Sequence, residues 1–506
     1  MYKISSLEGK LILFAVILAS GMAFLDGTVV NIALPVIEAK FKTNIFGIQW
    51  IVNAYALMLS SLILISGSLG DNFGRKKIFI YGIAVFILAS FMCGVSSSIS
   101  QLIIFRGLQG IGGAMMVPGS LSIINSSFEH STRGRAIGLW SGFSGGIAAL
   151  GPFLGGWLVQ TFGWASIFFI NIPLGLLALF IAFKFIPESK NIAAKRIDYF
   201  GSLLVFLGLL GITYGLIEGP NIGWNNPLAL FPLMFGLLLF ITFILTSVKK
   251  PYSLIPFNIF KSNLVVGANI VTLFLYFALS GVIFFLVLNL QQVQHLTPLQ
   301  AGLGLLPTIL IITFLSGRGG SIADKFGPRL PMIFGPLTVS VGMFLLALSG
   351  RNANYFTQIM PGLILFGLGM AFVIAPLTKS ALSVEEKYSG AASGVNNAVA
   401  RIAGLLAVAL LGAICLFLFT LKLDSSIRAS RLNQTEKKQI LEQKDKLAGI
   451  EIPRSFSPDA KVLAKNEIED SFVYSFRYVM GINAFLAFLS ATVAYFIIPP
   501  TGKKSF

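Results

Sequence analysis

Acidic residues are scarce: 20 Asp and Glu stand against 37 Lys and Arg in 506 residues, and charged side chains make up only 11% of the chain. So little charge on a sequence that is 55% hydrophobic excludes an ordinary soluble globule, which would present large apolar patches to water. Cysteine is almost missing. Cys93 and Cys415 are the two present, both inside apolar runs, so neither a disulfide framework nor a thiolate metal site is suggested. The two histidines, His130 and His295, fall in loops on opposite sides, and neither has a metal-site companion. The string Gly142-Phe143-Ser144-Gly145 looks like an intramembrane serine-protease motif, but that chemistry needs a base beside the serine. The Gly-Lys pairs at 9–10 and 502–503 are not followed by Ser or Thr, so there is no phosphate-binding loop. No enzyme activity, metal or cofactor is expected.

What is abundant is apolar length. Mean hydropathy is +0.84, and runs of about 20 residues, enough to span a bilayer, recur from end to end. They do not alternate with polar residues as β-barrel strands would. The expected fold class is an all-α polytopic membrane protein. About fourteen helices are expected, at 11–34, 48–70, 77–96, 101–127, 134–159, 164–186, 198–217, 228–248, 264–290, 299–317, 330–349, 354–378, 389–421 and 472–498. Lys3 and Lys10 with Ala19-Ser20-Gly21 look like a signal peptide, but the first run continues to about Leu34, which favours an uncleaved span. The net charge of +17 is read as cytoplasmic loop charge rather than as a nucleic-acid surface.

Orientation follows from those loops. With the N-terminus inside, the cytoplasmic connections hold Arg75, Lys76, Lys77, Arg133, Arg135, Lys190, Lys195, Arg196, Lys249, Lys250, Lys261, Lys325, Arg329, Lys379 and Lys387. The short outer loops hold only Lys40, Lys42 and Arg351. Both termini are therefore expected in the cytoplasm. One long loop, 422–471, lies outside with nearly balanced charge. Its Ser457-Pro458-Asp459 reads as a helix N-cap, a proline at N1 and an acid in the first turn, so short surface helices are expected there. They would either cover the outer mouth or form a solvated tether.

Two phrases repeat. Gly67-Ser-Leu-Gly-Asp71-Asn-Phe-Gly74-Arg75-Lys76-Lys77 and Gly320-Ser-Ile-Ala-Asp324-Lys-Phe-Gly327-Pro-Arg329 each join two apolar runs. An Asp, then a Gly three residues on, then a cation makes a poor lipid-facing segment but a good charged turn. Repetition points to two related halves, as in secondary transporters. The expected organisation is a six-helix half at 1–190, a two-helix insertion and linker at 191–262, and a second half at 263–421 and 472–506, interrupted by the 422–471 loop. Asp71 is expected at the start of the third helix, near its dipole. Arg75 would reach a neighbouring helix end, so that the repeated turn acts as a conformational latch (Gly67, Asp71, Gly74, Arg75, Asp324, Gly327, Arg329).

Further phrases carry a resemblance. These are Leu25-Asp26-Gly-Thr28-Val-Val-Asn31-Ile-Ala-Leu-Pro35, Gln49-Trp50-Ile-Val-Asn53-Ala-Tyr55, Arg106-Gly-Leu-Gln109-Gly110-Ile-Gly-Gly113-Ala and Gly151-Pro152-Phe-Leu-Gly155-Gly156. In this order the chain resembles the major facilitator superfamily, and within it the fourteen-helix drug:proton antiporters. The resemblance implies two six-helix halves with two extra helices between them. It also implies an antiporter motif at Gly151, Pro152, Gly155 and Gly156, kinked by its proline and packed across the half interface on the tenth helix.

Ionisable residues inside a span are costly and usually functional. Asp26 is the only clear acid within the expected spans, and Arg106 should share its depth. Both are expected to face a common aqueous or substrate-filled space and to couple protons. The competing reading makes Asp26 a permanently ionised brace. The expected substrate cavity holds Gln49, Asn53, Gln109, Asn269, Tyr276, Asn397 and Arg401, and Glu218 is expected to be a solvated carboxylate at a helix end. With one acid and two arginines, the substrate is expected to be neutral, zwitterionic or weakly anionic.

The sequence is thus read as a proton-coupled exporter of small amphipathic compounds by alternating access, in a bacterial cytoplasmic membrane. The alternative is a dedicated exporter of one metabolite (siderophore, lipid or antibiotic) or a uniporter. Its partners are expected to be a small-molecule substrate, protons and the lipid bilayer, with no nucleic acid. A monomer is expected, accessory export proteins being the further partner allowed for.

Overall fold

The structure is a computed structural model that describes residues 2–190, 197–250, 254–255, 257–384 and 389–500. Lys195, Arg196 and Lys387, and the expected boundary at 190/191, fall outside or at the edge of these residues. Among the described residues, thirteen helices are long and apolar enough to cross a membrane, or fourteen if a pair bent by 40° is one span.

The first eight helices are α1 (Leu7–Phe41), α2 (Ile45–Phe73), α3 (Arg75–Gly94), α4 (Ile99–Ser127), α5 (His130–Ala149), α6 (Gly151–Phe162), α7 (Ser166–Phe169) and α8 (Asn171–Phe185). Polar caps set their starts: Ser6, Asn44 and Ser98 each accept a backbone N–H from three residues on, satisfying donors that a helix start leaves free. The expected fifth span breaks at Leu150, so α5 and α6 are the bent pair. Pro152 at the start of α6 cannot continue the hydrogen-bond ladder of α5.

An inserted hairpin follows, α9 (Tyr199–Ile222) and α10 (Pro227–Lys249). Glycines let it close tightly: a β-carbon at Gly211 would stand 2.4 Å from the Pro232 carbonyl, and one at Gly236 2.6 Å from the Ile212 nitrogen. Leu57 of α2 and Leu209 of α9 share an apolar cluster with Leu405, which belongs to α15 (Ser389–Ala429). The hairpin therefore lies across the seam between α2 and α15.

The remaining helices are α11 (Asn263–Leu288), α12 (Pro298–Phe326), α13 (Arg329–Ala347), α14 (Met360–Ala381), α15, α16 (Gln434–Leu441) and α17 (Pro458–Ile497). A π turn, Asn289–Val293, extends α11, and a 3-10 turn covers Lys444–Gly449. Ser457 is an N-cap with Pro458 at N1, but it opens α17 rather than a short surface helix. At 41 and 40 residues, α15 and α17 outrun the roughly 20 needed to span. They project past the bilayer, and the excursion between them is 430–457 rather than 422–471. The charged residues at 422–429 and 458–471 mislead because a helix in water needs no apolar face. Below, the end of the bundle bearing 430–457 is the loop end, and the end bearing Arg75, Lys76 and Lys77 is the basic end.

Candidate functional site

The most buried charges sit together among α1, α3, α4 and α8. Arg106 of α4 donates from Nη1 to Asp26 Oδ2 and, at 2.6 Å, to Gln109 Oε1; its Nε donates to the Ile51 carbonyl at 3.1 Å. Gln109 Nε2 donates to Asp26 Oδ1 and to Ser90 Oγ, both at 2.7 Å, and Asn171 Nδ2 reaches Asp26 Oδ1 at 3.3 Å. The guanidinium lies 4.4 Å from the Tyr55 ring and 5.8 Å from that of Phe168. Close helix approach makes this possible: a β-carbon at Gly110 would be 2.5 Å from the Tyr55 carbonyl, and one at Gly112 2.7 Å from the Phe86 nitrogen.

Asp26 and Arg106 meet, at the shared depth expected, but they do not look onto an open space. Asp26 is 0% and Arg106 1% exposed. The neighbour Gly27 is the residue facing a gap, where a side chain would meet nothing within 4 Å. The carboxylate turns inward because three donors wait there, two of them amides. Asn171 and Ser90 were not among the sequence candidates. A lone amide within the 164–186 apolar run was the signal for Asn171.

The expected cavity residues separate. Gln49 donates to the Val408 carbonyl at 2.6 Å and bridges α2 to α15 instead of lining a space. Asn53 is fully buried, and neither its amide nitrogen nor its oxygen has a partner among the described residues. Asn269 and Thr272 receive Asn396 Nδ2 at 3.3 and 2.8 Å, tying α11 to α15. Asn397 is exposed, with its amide on the Ser393 carbonyl. Arg401 lies one turn further along α15. It is half-buried, sits 5.3 Å from the Phe24 ring and faces Tyr55 and Tyr276. Among the described residues it forms no ion pair. Glu218 is not merely solvated: it accepts from Trp50 Nε1 at 2.9 Å and from Asn221.

At the basic end the repeated turns share one backbone device. Gly74 has φ +118° and Gly327 φ +84°, a region that favours glycine. Asp71 does not cap α3. It takes the Arg75 guanidinium at 2.7 Å, while Glu188 accepts the backbone N–H groups of Lys76 at 3.2 Å and Lys77 at 3.3 Å. A carboxylate from beyond α8 thus sits at the positive end of α3, while Asp71, inside the last turn of α2, is taken up by Arg75. In the second turn Asp324 pairs with Lys379, and Arg329 donates to the Tyr495 carbonyl at 2.5 Å. Gly67 lies 3.9 Å from Pro118 in the same sense, leaving it loosely packed. Gly74→Ala is expected to cost about 1–3 kcal/mol, the range for a strained backbone residue, because its β-carbon would also fall 2.9 Å from the Glu188 carboxyl carbon. A lowered melting temperature checks this.

The kinked motif packs two ways. Positions 151 and 155 lie against Thr28 and Val29 of α1, whereas a β-carbon at Gly156 would stand 2.5 Å from the Pro298 carbonyl of α12. Gly302 of α12 answers with a β-carbon position 2.2 Å from the Pro152 carbonyl. Other bridges lie toward the same loop end: Gln291 to the Ile32 carbonyl at 2.8 Å, Gln292 to Glu38 at 2.7 Å and Asn44 to Asp445 at 2.7 Å. Toward the basic end, side chains at Gly134, Gly138, Gly142, Gly145 and Gly317 would meet nothing within 4 Å. The cross-links between the halves named here thus gather toward the loop end, while these positions of α5 and α12 have no close neighbour.

Residues 16–408 match the profile described as Major Facilitator Superfamily. The chain is 32% identical over 395 residues to "Multidrug resistance protein Stp" of Mycobacterium tuberculosis, covering 78% of this chain and 73% of that protein. It is 32% identical over 376 residues to "Riboflavin transporter RibZ" of Clostridioides difficile, covering 74% and 80%. The solved structure of a bacterial homolog of the human lysosomal transporter Spinster, inward-facing and unoccupied, overlays with a TM-score of 0.67 at 16% identity, covering 97% of this chain and 98% of that one.

Proposed function

We propose that this chain, which belongs to the Major Facilitator Superfamily, exports small amphipathic compounds in exchange for protons. The observation that carries the reading is the contrast between its two ends, with a guanidinium between them that forms no ion pair among the described residues. The positive-inside rule makes the basic end cytoplasmic and both termini internal. The state seen is then the one that loads cargo from the cell, and the membrane is the cytoplasmic membrane of a bacterium. The resistance relative supports drug-like cargo. The riboflavin relative supports the second reading, a dedicated transporter of one metabolite.

Arg401 gives the cargo class. A guanidinium stacked on Phe24 and in no ion pair among the described residues suits a carboxylate, phenolate or polar carbonyl on an otherwise aromatic molecule. Neutral, zwitterionic and weakly anionic amphipaths fit better than multiply charged cations. Proton coupling is assigned to Asp26 and Arg106. A proton arriving at Asp26 competes with the guanidinium, which can fall back on the Ile51 carbonyl, Gln109 and the Tyr55 ring. Releasing the pair loosens α4 from α1, and cargo arrival next to Tyr55 presses on the same network. The repeated turns at the basic end act as latches in this cycle. The chain works as a monomer.

The test is flux of a compound panel in proteoliposomes, with and without an imposed pH gradient. Stimulation by the gradient is expected, and its absence with every transported compound overturns proton coupling. In the same panel, Arg401→Ala is expected to raise KM for carboxylate-bearing compounds roughly tenfold to a hundredfold, the equivalent of one charged hydrogen bond. Neutral compounds should be little affected. Equal loss for both classes would make Arg401 a structural brace.

A further inference from the structure

Glu38 is a buried carboxylate that plays no part in the proposed cycle. The first span was expected to end at residue 34, but α1 continues to Phe41 and carries Glu38 into the interface, 5% exposed. It lies about 18 Å beyond Asp26 along the helix, at 1.5 Å per residue. Three parts of the chain meet on it. Gln292, from the π turn after α11, donates Nε2 to Glu38 Oε2 at 2.7 Å. Gly449, from the 430–457 excursion, lies over both: a β-carbon there would be 3.1 Å from Glu38 Oε1 and 3.2 Å from Gln292 Nε2. A side chain there would press on the pair.

The pairing is half complete. Gln292 Oε1 is buried and has no hydrogen-bond partner among the described residues. A carboxylate has no proton to give it, so the amide oxygen stays unsatisfied, at a cost of about 1–3 kcal/mol for a buried acceptor. A carboxylic acid would donate its O–H to Oε1 while still accepting from Nε2, closing a two-bond acid–amide ring. The surrounding charges do not supply that proton. Lys446 donates to Gln443 at 3.0 Å, Asp445 accepts from Asn44 at 2.7 Å, and His295 meets Glu469 at 2.8 Å. Lys446 and Asp445 are the charged groups facing Glu38 from the strap, with opposite signs. Lys40 and Lys42 lie at the exposed end of its own helix.

We propose that Glu38 is a second proton-binding site, which takes up a proton as the loop end closes and returns it to water when that end parts. Acid on that side then favours closure, and so favours the state that is open at the basic end. The proposal rests on the alternating access described above but not on Asp26 or on any cargo.

Double electron–electron resonance on the full-length protein tests it without substrate. Spin labels go on Lys42→Cys and Asn352→Cys, both exposed at the loop end of opposite halves, with the buried Cys93 and Cys415 replaced by Ala. In the wild type the ratio of short to long distances should rise as pH falls from about 8.5 to 5.5, by at most roughly tenfold per pH unit, the limit for one linked proton. Glu38→Gln should hold the short distance at every pH, since its amide can donate to Gln292 Oε1 as the acid does. Gln292→Ala should flatten the response with the long distance favoured, and it serves as the second variant should Glu38→Gln not fold. A wild type insensitive to pH overturns the proposal. So does either variant keeping the wild-type slope, which would leave Asp26 or another group as the sensor.

Discussion

Asp26→Asn is expected to abolish the response of export to a pH gradient while leaving cargo binding intact. The carboxylate is the shared acceptor of Arg106, Gln109 and Asn171, and its side chain is completely buried. Asparagine keeps the shape but cannot ionise, so whatever proton Asp26 carries is lost. The substitution also leaves Arg106 as an uncompensated buried charge, and breaking such a pair by removing one partner costs about 3–5 kcal/mol. Instability could therefore mimic a coupling defect. Asp26→Asn combined with Arg106→Gln removes both charges and should recover much of the melting temperature. Gradient-driven export should stay absent in the double variant. If either variant is well folded and still exchanges cargo for protons at the wild-type rate, the pair is a brace for α1 and α4, and coupling lies elsewhere.

Gly302→Val is expected to lower turnover by more than about tenfold. Its β-carbon would fall 2.2 Å from the Pro152 carbonyl, and no relaxation of a side chain relieves contact with backbone. Overpacking of this kind typically costs 1–3 kcal/mol, and under the alternating access proposed above the penalty falls on the state in which α6 and α12 touch, the one seen here. A bias of that size shifts a balanced two-state equilibrium by roughly tenfold or more. The same spin-label pair should report a wedged, open loop end. Gly145→Ala is the control: it lies on α5 just before the bend, and its side chain would meet nothing within 4 Å. Normal flux in Gly302→Val would mean that this contact is not on the transport path.

The fold was legible where chemistry is periodic or repeated. Apolar length gave the spans, and the copied Asp-Gly-cation turn gave the duplication. What sequence reading lost was which way a side chain turns. Asp26 meets Arg106 as expected, yet its direction depends on Asn171 from α8 and on Gln109, itself held by Ser90 of α3. Asp71 was expected to cap α3, but that place goes to Glu188, which is 117 residues later in the numbering and next to Gly74 only in space. Glu38 was missed for a local reason. Hydropathy falls at Glu38-Ala-Lys40 and so marks a span end, although the helix itself runs to Phe41.

The inserted pair α9 and α10 has a consequence for the membrane itself. Because α9 leans on both α2 and α15, it cannot ride rigidly with one half if the two rock as proposed above. Under the alternating access proposed above it slips or tilts at each turn of the cycle, moving the exposed phenylalanines of α10, such as Phe231 and Phe235, through the surrounding acyl chains. Viscosity and thickness of the surrounding lipid thereby become part of the resistance against which this protein works.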